Sequence, residues 1–420
     1  MKNTIENDTE ILSGKRRRIA FVTSEFFKEY NTGEQIDLFD GGVAVCIYRL
    51  CLSLKQKGYE PIVITASKRN GIVFYNTVEV HRVVVPDKLF CLLNKLTLSK
   101  FRNTLFWLWQ SFKLNRVVRN IHKKKNISLI EYSSLMAIGL LSPKNIPSTV
   151  RIYCHQKLLM EANEEFLGYD GSIMMRLERL ANKRARAISC PSRILKKYVE
   201  NEIGKDVHLI SNFFCADQHY ANVDERPYAD LLHGKKYLLY FGALCHLKGL
   251  PEIAEIIYPL LDKHPSLYFV LAGRNMNYYD RQMTDYIWEK AGRHRGRVIY
   301  MGILRHDQLY PVLKNAYVVV LPSRIDNIPN TCIEAMMCKR VVIGTNGSSL
   351  EELIDDGVTG FLSELRNPPS LLCAVEKMLG MPHKEIREMG EKACRNISAL
   401  THSNTSVQQF IKFYEDVISN

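Results

Sequence analysis

The chain has 420 residues, of which 46% are hydrophobic and 24% charged, and its formal net charge at pH 7 is +13. This length exceeds what one hydrophobic core usually serves, so we predict two domains with a cleft between them. The balanced composition excludes a disordered or fibrous chain. No run approaches the ~20 consecutive apolar residues of a membrane-spanning helix.

The N-terminus and the cysteines bear on the compartment. MKNTIENDTE lacks the basic and then apolar pattern of a secretory signal. We therefore expect a cytoplasmic protein, with residues 1–15 as a disordered tail. The eleven cysteines are scattered, with no C-x-x-C pair, which favours reduced core thiols over disulfides or metal ligands.

The first half of the chain alternates short β-branched runs with amphipathic stretches, which indicates βα units around a mostly parallel sheet. The sequence NGIVFYNTVEVHRVVV within it predicts a hairpin. The other predicted elements are a strand at 18–23, a helix from Val43 to Lys57, and strands at 60–65, 127–132 and 148–155.

The segment from Lys88 to Lys125 has ten Lys or Arg, no acid, and many Leu, Phe and Trp. Two interpretations remain open. This composition is typical of a helix at the surface of an anionic membrane, and it also fits a core-packed helix with a solvated basic face. A basic surface for nucleic acid is not predicted, because the segment has no recognised nucleic-acid motif.

The βα pattern returns after residue 235, where KYLLYFG, SLYFVLAG, RVIYMG, AYVVVLPS and RVVIGT are strand-like. We therefore predict a second parallel-sheet α/β domain. The predicted domains are 16–214 and 235–400, joined by a polar, turn-rich linker at 215–234. The amphipathic segment 401–420 is expected to form a helix that packs back toward the first domain.

Ligands of open α/β sheets bind outside the carboxyl ends of the strands, so polar residues just after strands are candidates for a site. SRIDNIPNTCIEAMM (323–337) follows one predicted strand. If a helix begins at Thr331, Glu334 has capping-box spacing and a structural role. Together with Asp326, it is also suited to accept hydrogen bonds from the vicinal hydroxyls of a ribose or hexose.

Lys248 lies in YFGALCHLKGLPEI, between a predicted strand and a predicted helix start at Pro251. A cation at a helix N-terminus opposes the helix dipole by about 0.3 to 1 kcal/mol. An anion, most simply a phosphate, between Lys248 and the backbone amides would explain it. A solvated lysine is the alternative.

Two weaker candidates lie in the first half. Asp40, Gly41 and Gly42 open a predicted helix, where two glycines allow a ligand close to the backbone or only form a tight turn. His155 ends the predicted strand at 148–155, and is either a hydrogen-bonded structural residue or part of a site.

Together these stretches resemble the retaining nucleotide-sugar glycosyltransferases of family 4, of the polysaccharide-assembly type. GALCHLKG is similar to G-R-L-x-x-x-K-G, PSRIDNIPNTCIEAM to P-S-x-x-E-x(7)-E-A-M, and VVIGTNGSSLEELIDDGVTGFL to the strand, turn and E-L-I-x-D-G-x-x-G-F-L that follow. The resemblance runs from about Arg18 to Leu362. It implies the GT-B fold, in which two Rossmann-like, doubly wound parallel-sheet domains face each other across a cleft.

The resemblance also implies roles for residues. Glu334 would bind the ribose of the donor nucleotide, Asp326 would stand near the donor sugar or its phosphate, Lys248 would neutralise the diphosphate, and His155 would touch the transferring sugar. Asn212 resembles an asparagine at the family's hinge, with a turn residue as the alternative. The implied donor-binding set adds Gly41, Gly42, Gly242, Gly273, Arg274, Asn327, Gly347, Ser348, Ser349 and Leu350 to Lys248, Asp326 and Glu334.

Three positions depart from the family pattern. Ala243 stands where the family has a phosphate-binding Arg, and Asp326 stands where Glu is usual. Gly273 is the only glycine of a turn that is commonly G-x-G, and Arg274 beside it is a candidate for the missing positive charge.

The resemblance implies transfer of a sugar from a nucleoside diphosphate sugar to a glycan or lipid-linked oligosaccharide, with retained anomeric configuration, in cell-surface polysaccharide synthesis. It implies no cofactor, and the sequence has no D-x-D to hold a metal. The acceptor would bind the N-terminal domain, where the basic, aromatic segment 88–125 suggests a lipid-linked oligosaccharide at the inner face of the cytoplasmic membrane. The alternatives are a sugar-nucleotide epimerase, an inverting transferase, or a sugar-nucleotide-binding protein without turnover, which Ala243 would favour.

Overall fold

The computed structural model of the protein describes residues 17–26, 41–86, 88–96, 100–163, 168–212, 223–400 and 403–419. The predicted tail at 1–15 and Asp40 lie outside the described residues. Within them the chain forms two parallel-sheet α/β domains, which confirms the predicted fold class.

The N-terminal domain is built on an eight-stranded sheet with the strand order β3-β4-β2-β1-β5-β6-β7-β8. All neighbouring strands are parallel except β3 and β4, which form the predicted hairpin. The strands are β1 (Arg18–Thr23), β2 (Glu60–Ser67), β3 (Gly71–Tyr75), β4 (Val78–Val84), β5 (Leu129–Ser133), β6 (Ser148–Arg151), β7 (Ala187–Cys190) and β8 (Val207–Leu209).

Helices cover both faces of this sheet, as the continuous burial of residues along β1 requires. Ala20 and Val22 face a core that includes Leu114 and Val118, whereas Ile19 and its neighbours face the opposite core. The helices are α1 (Gly41–Gln56), α2 (Lys88–Leu96), α3 (Arg102–Lys125), α4 (Gln156–Asn163), α5 (Tyr169–Arg184) and α6 (Arg193–Ile203), with a 3₁₀ helix at Leu135–Leu141.

One prediction about this domain needs correction. Strand β6 ends at Arg151, because the backbone leaves the sheet there, so His155 lies four residues beyond the strand and just before α4. In the segment 88–125, α3 buries its apolar face, including Trp107 and Leu114, as the core-packed interpretation predicts. Leu89 and Leu92 of α2, however, are 51% and 55% exposed.

The C-terminal domain has a six-stranded, all-parallel sheet with the order β13-β10-β9-β14-β15-β16. Its strands are β9 (Lys236–Phe241), β10 (Leu267–Ala272), β13 (Val298–Tyr300), β14 (Val318–Val320), β15 (Val342–Thr345) and β16 (Gly360–Ser363), and β11 (Asn277–Tyr278) and β12 (Arg281–Gln282) form a separate small hairpin.

The helices of this domain bury their apolar faces in one continuous core. They are α7 (Arg226–Leu232), α8 (Leu250–Lys263), α9 (Met283–Ala291), α10 (His306–Asn315), α11 (Asn330–Met337), α12 (Pro368–Leu379) and α13 (His383–Leu400), with 3₁₀ helices at His246–Lys248, Gly292–Arg297 and Ser349–Glu352. Helix α7 occupies part of the segment predicted as a linker, and its Leu232 is buried in this core. Residues 215–222 of that segment lie outside the described part.

The last helix, α14 (Ser403–Ser419), returns to the N-terminal sheet. Phe410 and Tyr414 share a core with Ile19 of β1. The Tyr414 hydroxyl donates a hydrogen bond of 2.6 Å to Oε2 of Glu131 on β5, so the end of the chain ties the two domains together.

Candidate active site

A cavity of about 810 Å³ lies between the two domains, where the carboxyl ends of both sheets face each other. Segments that follow β6, β7 and β8 form one wall, with the N-terminus of α1. Segments that follow β9, β10, β13, β14 and β15 form the other. This cavity, called the cleft below, is where a doubly wound sheet binds its ligand. It contains most of the residues that the sequence motifs single out.

Lys248 and Asp326 meet on the C-terminal wall of the cleft. Lys248 Nζ lies 2.6 Å from Oδ2 of Asp326, and the two side chains are 32% and 12% exposed. Burial lowers the pKa of Lys248, but the carboxylate of Asp326 more than compensates, so the pKa is raised. Lys248 is therefore positively charged near neutral pH, and its partner is the carboxylate of Asp326.

The backbone around Lys248 requires glycine. Gly249 has a φ of +74°, and a Cβ at this position would lie 1.9 Å from the carbonyl oxygen of Pro322. Similarly, Gly273 has a φ of +139°, and its Cβ would lie 1.8 Å from the carbonyl oxygen of Gly242. The turns after neighbouring strands thus approach each other more closely than any side chain permits.

The loop that carries Asp326 is strained. Ile328 has a φ of +53°, which is costly for a β-branched residue. Ser349 holds it in place, because its hydroxyl accepts a 2.7 Å bond from the Ile328 amide and donates one of 2.9 Å to the carbonyl of Asp326. Ser349 therefore acts on the shape of the loop.

Glu334 lies in the second turn of α11 and does not form a capping box. The helix begins at Asn330, one residue earlier than predicted, and no side chain caps it, because Pro329 occupies the N-cap position. The predicted structural role is therefore wrong. Glu334 is only 6% exposed and lines the cleft. Its Oε1 lies 3.7 Å from Nε2 of His306, which is too long for a hydrogen bond.

Most of the remaining donor-site candidates line the cleft. They are Gly42, Gly242, Gly273, Asn327, Gly347, Ser348 and Ser349. Gly41 is the first residue of α1 and precedes Gly42. Arg274 and Leu350 do not line the cleft. Leu350 is fully buried in the C-terminal core, and its amide donates to the Ser348 hydroxyl. The amide of Gly347 also has a partner, Oε2 of Glu351 at 2.7 Å.

His155 lines the opposite wall of the cleft with only 3% of its surface exposed. Its Nε2 lies 2.7 Å from Oε2 of Glu202 on α6, although the N–H is not aligned for a hydrogen bond. Burial lowers the pKa of His155, but Glu202 and the charge of Glu178 raise it more, so the net shift is upward. Burial raises the pKa of Glu178 itself to about 7.

Direct hydrogen bonds join the two walls. Asn327 Nδ2 donates to the carbonyl of Tyr153 at 2.8 Å. The carboxylate of Glu352 accepts from the first two amides of α6, those of Arg193 and Ile194, at 2.8 and 3.1 Å. The candidate hinge residue Asn212 also lines the cleft, where its Oδ1 accepts a 2.8 Å bond from Nη2 of the fully buried Arg151.

Sequence analysis missed several residues of the site. His306 follows β13, so the strand-end rule could have found it. Arg324 lines the cleft and donates a 2.8 Å bond through Nε to Oε1 of Glu252. Arg324 directly follows the predicted strand AYVVVLPS, so the strand-end rule could have found it as well. Glu178 and Glu202 carried no signal, because they lie on helices remote in sequence from His155.

A second cavity of about 1020 Å³ lies in the N-terminal domain, on the other side of α4 from the cleft. We call it the N-terminal groove. Met136 on its wall has a positive φ of 59°, and the next residue, Ala137, has one of 51°. Its apolar lining consists of Phe101, Phe106, Trp107, Leu135, Met136, Met160 and Met174, with Glu25, Lys100 and Gln156 among its polar residues.

The described residues include no group of three or more His, Cys, Asp or Glu side chains placed to hold a metal ion. None of the helices described is both long and apolar enough to cross a membrane.

Comparison with known proteins follows the division of the structure. Residues 40–218 match the family model "Glycosyltransferase Family 4", and residues 235–381 match "Glycosyl transferases group 1". Among solved structures, a sucrose-phosphate synthase from Thermosynechococcus elongatus has a TM-score of 0.75 at 16% identity, and the alignment covers 96% of this chain and all of that one. The Anabaena protein HepE in complex with UDP-glucose has a TM-score of 0.69 at 16% identity, with 95% and 99% coverage.

Two curated relatives are enzymes by name. An alpha-D-kanosaminyltransferase of Streptomyces kanamyceticus is 24% identical over 59% of this chain and 60% of its own length. A lipopolysaccharide 1,2-N-acetylglucosaminetransferase of Salmonella typhimurium is 23% identical over 56% of this chain and 62% of its own length. The alignments thus span about three fifths of these relatives.

The architecture is that of the GT-B class, in which a ligand cleft separates two parallel-sheet domains. Since one family model matches each domain, the chain belongs to the family 4 glycosyltransferases.

Proposed function

We propose that the chain is a glycosyltransferase that moves a sugar from a nucleoside diphosphate sugar to an acceptor hydroxyl and retains the anomeric configuration. The observation that carries the proposal is the arrangement on the C-terminal wall. There, the cation of Lys248 and the carboxylates of Asp326 and Glu334 line one cleft at the carboxyl ends of the strands. A ligand with both a phosphate and vicinal hydroxyls would match these groups.

In the proposed complex, Glu334 accepts hydrogen bonds from the ribose hydroxyls, and the diphosphate lies against Lys248. The N-termini of α1 and α11, whose first turns contain no acidic residue, add positive potential there. The donor sugar lies between Asp326 and His155, which face the cleft from opposite domains. The donor is the substrate, and no cofactor is part of this proposal.

The proposed chemistry is the one that the resemblance to the retaining family implies. The bond between the anomeric carbon and the β-phosphate oxygen breaks, and negative charge develops on the leaving diphosphate. Lys248 and the helix N-termini stabilise this charge in the transition state. The acceptor oxygen attacks from the side of the leaving group, and its proton passes to the departing phosphate oxygen. A new glycosidic bond and a nucleoside diphosphate are the products.

For the acceptor we propose a glycan or lipid-linked oligosaccharide of cell-surface polysaccharide synthesis, bound by the N-terminal domain at the inner face of the cytoplasmic membrane. The apolar N-terminal groove lies next to the cleft, and α2 exposes leucines within a segment that has no acid. Both features suit a molecule with an apolar chain at an anionic surface. The name of the Salmonella relative supports this class of acceptor.

The alternative is a binding protein without turnover. It is favoured by Ala243, which lines the cleft where the family has a phosphate-binding Arg. Arg274 is not part of the cleft lining, so it does not simply take the place of that Arg.

The proposal is tested first by binding and then by product analysis. Thermal shift with UDP, GDP, ADP and their sugar conjugates, with and without Mg²⁺, should single out one nucleotide. A ligand at ~100 times its dissociation constant stabilises by about 2.7 kcal/mol. NMR of a product then gives the anomeric configuration, and an inverted linkage would reject retention. Binding without any transfer or donor hydrolysis would support the alternative.

A further inference from the structure

His155 belongs to a cluster of charged side chains whose other two members, Glu202 and Glu178, have no part in the proposed reaction. Glu202 lies 2.7 Å from its Nε2. Glu178, on α5, is only 1% exposed and lies 3.3 Å from the amide of Gln156, the residue after His155. Two carboxylates from two different helices thus converge behind one imidazole.

The orientation of this cluster is polar. His155 lines the cleft, whereas Glu202 and Glu178 do not. The positive end of the ion pair therefore faces the ligand site, and its negative end, Glu202, lies away from the cleft with 22% of its side chain exposed. A buried carboxylate is costly unless it is paired, and the imidazolium is the partner that this arrangement offers.

The positive end also faces the groups that would hold a donor diphosphate. Helix α4 packs against the 3₁₀ helix that carries Lys248. Cys154, next to His155, experiences the charges of both Lys248 and Asp326. The bond from Asn327 to the Tyr153 carbonyl fixes this segment against the Asp326 loop.

We propose that Glu202 and Glu178 hold His155 as an imidazolium, and that this cation provides the cleft with positive charge, which the alanine at position 243 lacks. The second part rests on the proposed function, because it assumes an anionic donor. His155 would then be the group that touches substrate, and the two glutamates would be positioning residues. The upward shift in the pKa of His155 has the sign that this requires.

Other charged groups face the same cluster. Lys157 on α4 opposes protonation of His155, and Arg179 on α5 acts on Glu202. The Tyr198 ring lies edge-on to the imidazole, with 5.0 Å between the centroids, and burial raises its pKa to about 12, so it is neutral near pH 7. Glu202 is the nearest of these charges and should dominate.

The test measures protonation directly. The His155 resonance, assigned by its loss in His155→Gln, is titrated by NMR in the wild-type protein, Glu202→Gln and Glu178→Gln. Glu200→Gln, on the same helix as Glu202, is the matched control. We expect a wild-type midpoint above the ordinary histidine value of about 6.5. It should fall by about one pH unit or more in Glu202→Gln, fall less in Glu178→Gln, and not move in Glu200→Gln.

The second readout is the affinity for UDP as a function of pH. In the wild type it should fall as the pH rises through the His155 midpoint. The fall should occur at lower pH in Glu202→Gln and be absent in His155→Gln. An unchanged midpoint in Glu202→Gln would overturn the imidazolium. An identical pH dependence of UDP affinity in His155→Gln would overturn its role toward the donor. If no nucleotide binds, the proposed function fails, whereas the titration still decides the protonation state.

Discussion

Lys248 forms an ion pair with Asp326, which lies in the loop after β14, and the distance between Nζ and Oδ2 is 2.6 Å. They are 78 residues apart in the sequence and follow different strands of the same sheet. The charge of each side chain therefore neutralises the charge of the other. A bound diphosphate would compete with Asp326 for Lys248 and leave the carboxylate to accept hydrogen bonds from a sugar.

Substitution of Lys248 by Met should reduce kcat/KM for sugar transfer by about 10²- to 10³-fold, the range for loss of one group that stabilises transition-state charge. The methionine keeps the apolar stem, so the fold should be unaffected. Steady-state kinetics with the donor found by thermal shift measure the effect. Lys263→Met is the control, since this lysine is 65% exposed and pairs with Glu376. Equal activity of the two variants would contradict the role of Lys248.

Glu334→Gln should weaken donor binding by roughly 10- to 100-fold, because hydrogen bonds to a charged group contribute about 1.5 to 3 kcal/mol. The amide has the shape of the carboxylate, and Glu334 has no cap to lose. Isothermal titration with the nucleoside diphosphate, which carries the ribose but no donor sugar, measures this effect. Glu376→Gln, remote from the cleft, should bind normally. A variant with normal affinity would exclude Glu334 as the ribose ligand.

Ser349→Ala should lower the free energy of unfolding by about 1 to 3 kcal/mol, because the Ile328 amide loses its partner. The loop that carries Asp326 would relax from its positive φ, so KM for the donor should also rise. Urea unfolding and kinetics check the two effects. Ser398→Ala, which removes a hydroxyl bonded only within α13 and to Met337, should change neither by a comparable amount. A loss of stability with unchanged KM would separate Ser349 from the donor site.

Stability should fall as the pH rises from about 5 to 8, in part because of Glu131. Burial raises its pKa to about 7, despite the opposing effects of Arg151 and Tyr414. The folded protein thus holds a proton that the unfolded chain releases above its ordinary pKa of 4.5, so the stability from this group is present below 4.5 and lost through about 7. A shift of this size corresponds to about 3 kcal/mol.

Urea unfolding at pH 5 and pH 8 measures this change. The difference should be smaller in Glu131→Gln, which cannot titrate. Glu289→Gln, on the exposed surface of the other domain, should keep the wild-type difference. If Glu131→Gln kept it as well, the carboxyl of Glu131 would not be protonated in the fold.

The exposed leucines of α2 predict binding to anionic vesicles. Changing Leu89, Leu92 and Leu93 to Gln should reduce co-sedimentation with vesicles that contain anionic lipid, since apolar area and nearby basic residues act together. Gln at Leu231 and Leu400, which are similarly exposed elsewhere, is the control. Equal sedimentation of all proteins, or equal binding to neutral vesicles, would count against a membrane role for α2.

Local patterns were sufficient to predict most of the fold. Parallel strands with buried faces on both sides have long β-branched runs, and those runs located β1, β2, β5, β9, β10 and β15. The motifs located Lys248, Asp326 and Glu334, because strand ends of one sheet meet at one edge. Boundaries were less well predicted. Tertiary contacts decide at which residue β6 ends and at which residue α11 begins. Local sequence does not encode these contacts.

The amino-acid sequence therefore determined the class of fold and the position of the cleft, since these follow from periodicity and from the positions of strand ends. The family was identified by the resemblance of its motifs. The charge state of the site depends on folding. Lys248 acquires Asp326, Ile328 is held by Ser349, and His155 acquires Glu202 and Glu178 only when distant segments pack together. Electrostatic interactions depend on distance in space and on burial, and neither quantity can be read from the order of residues along the chain.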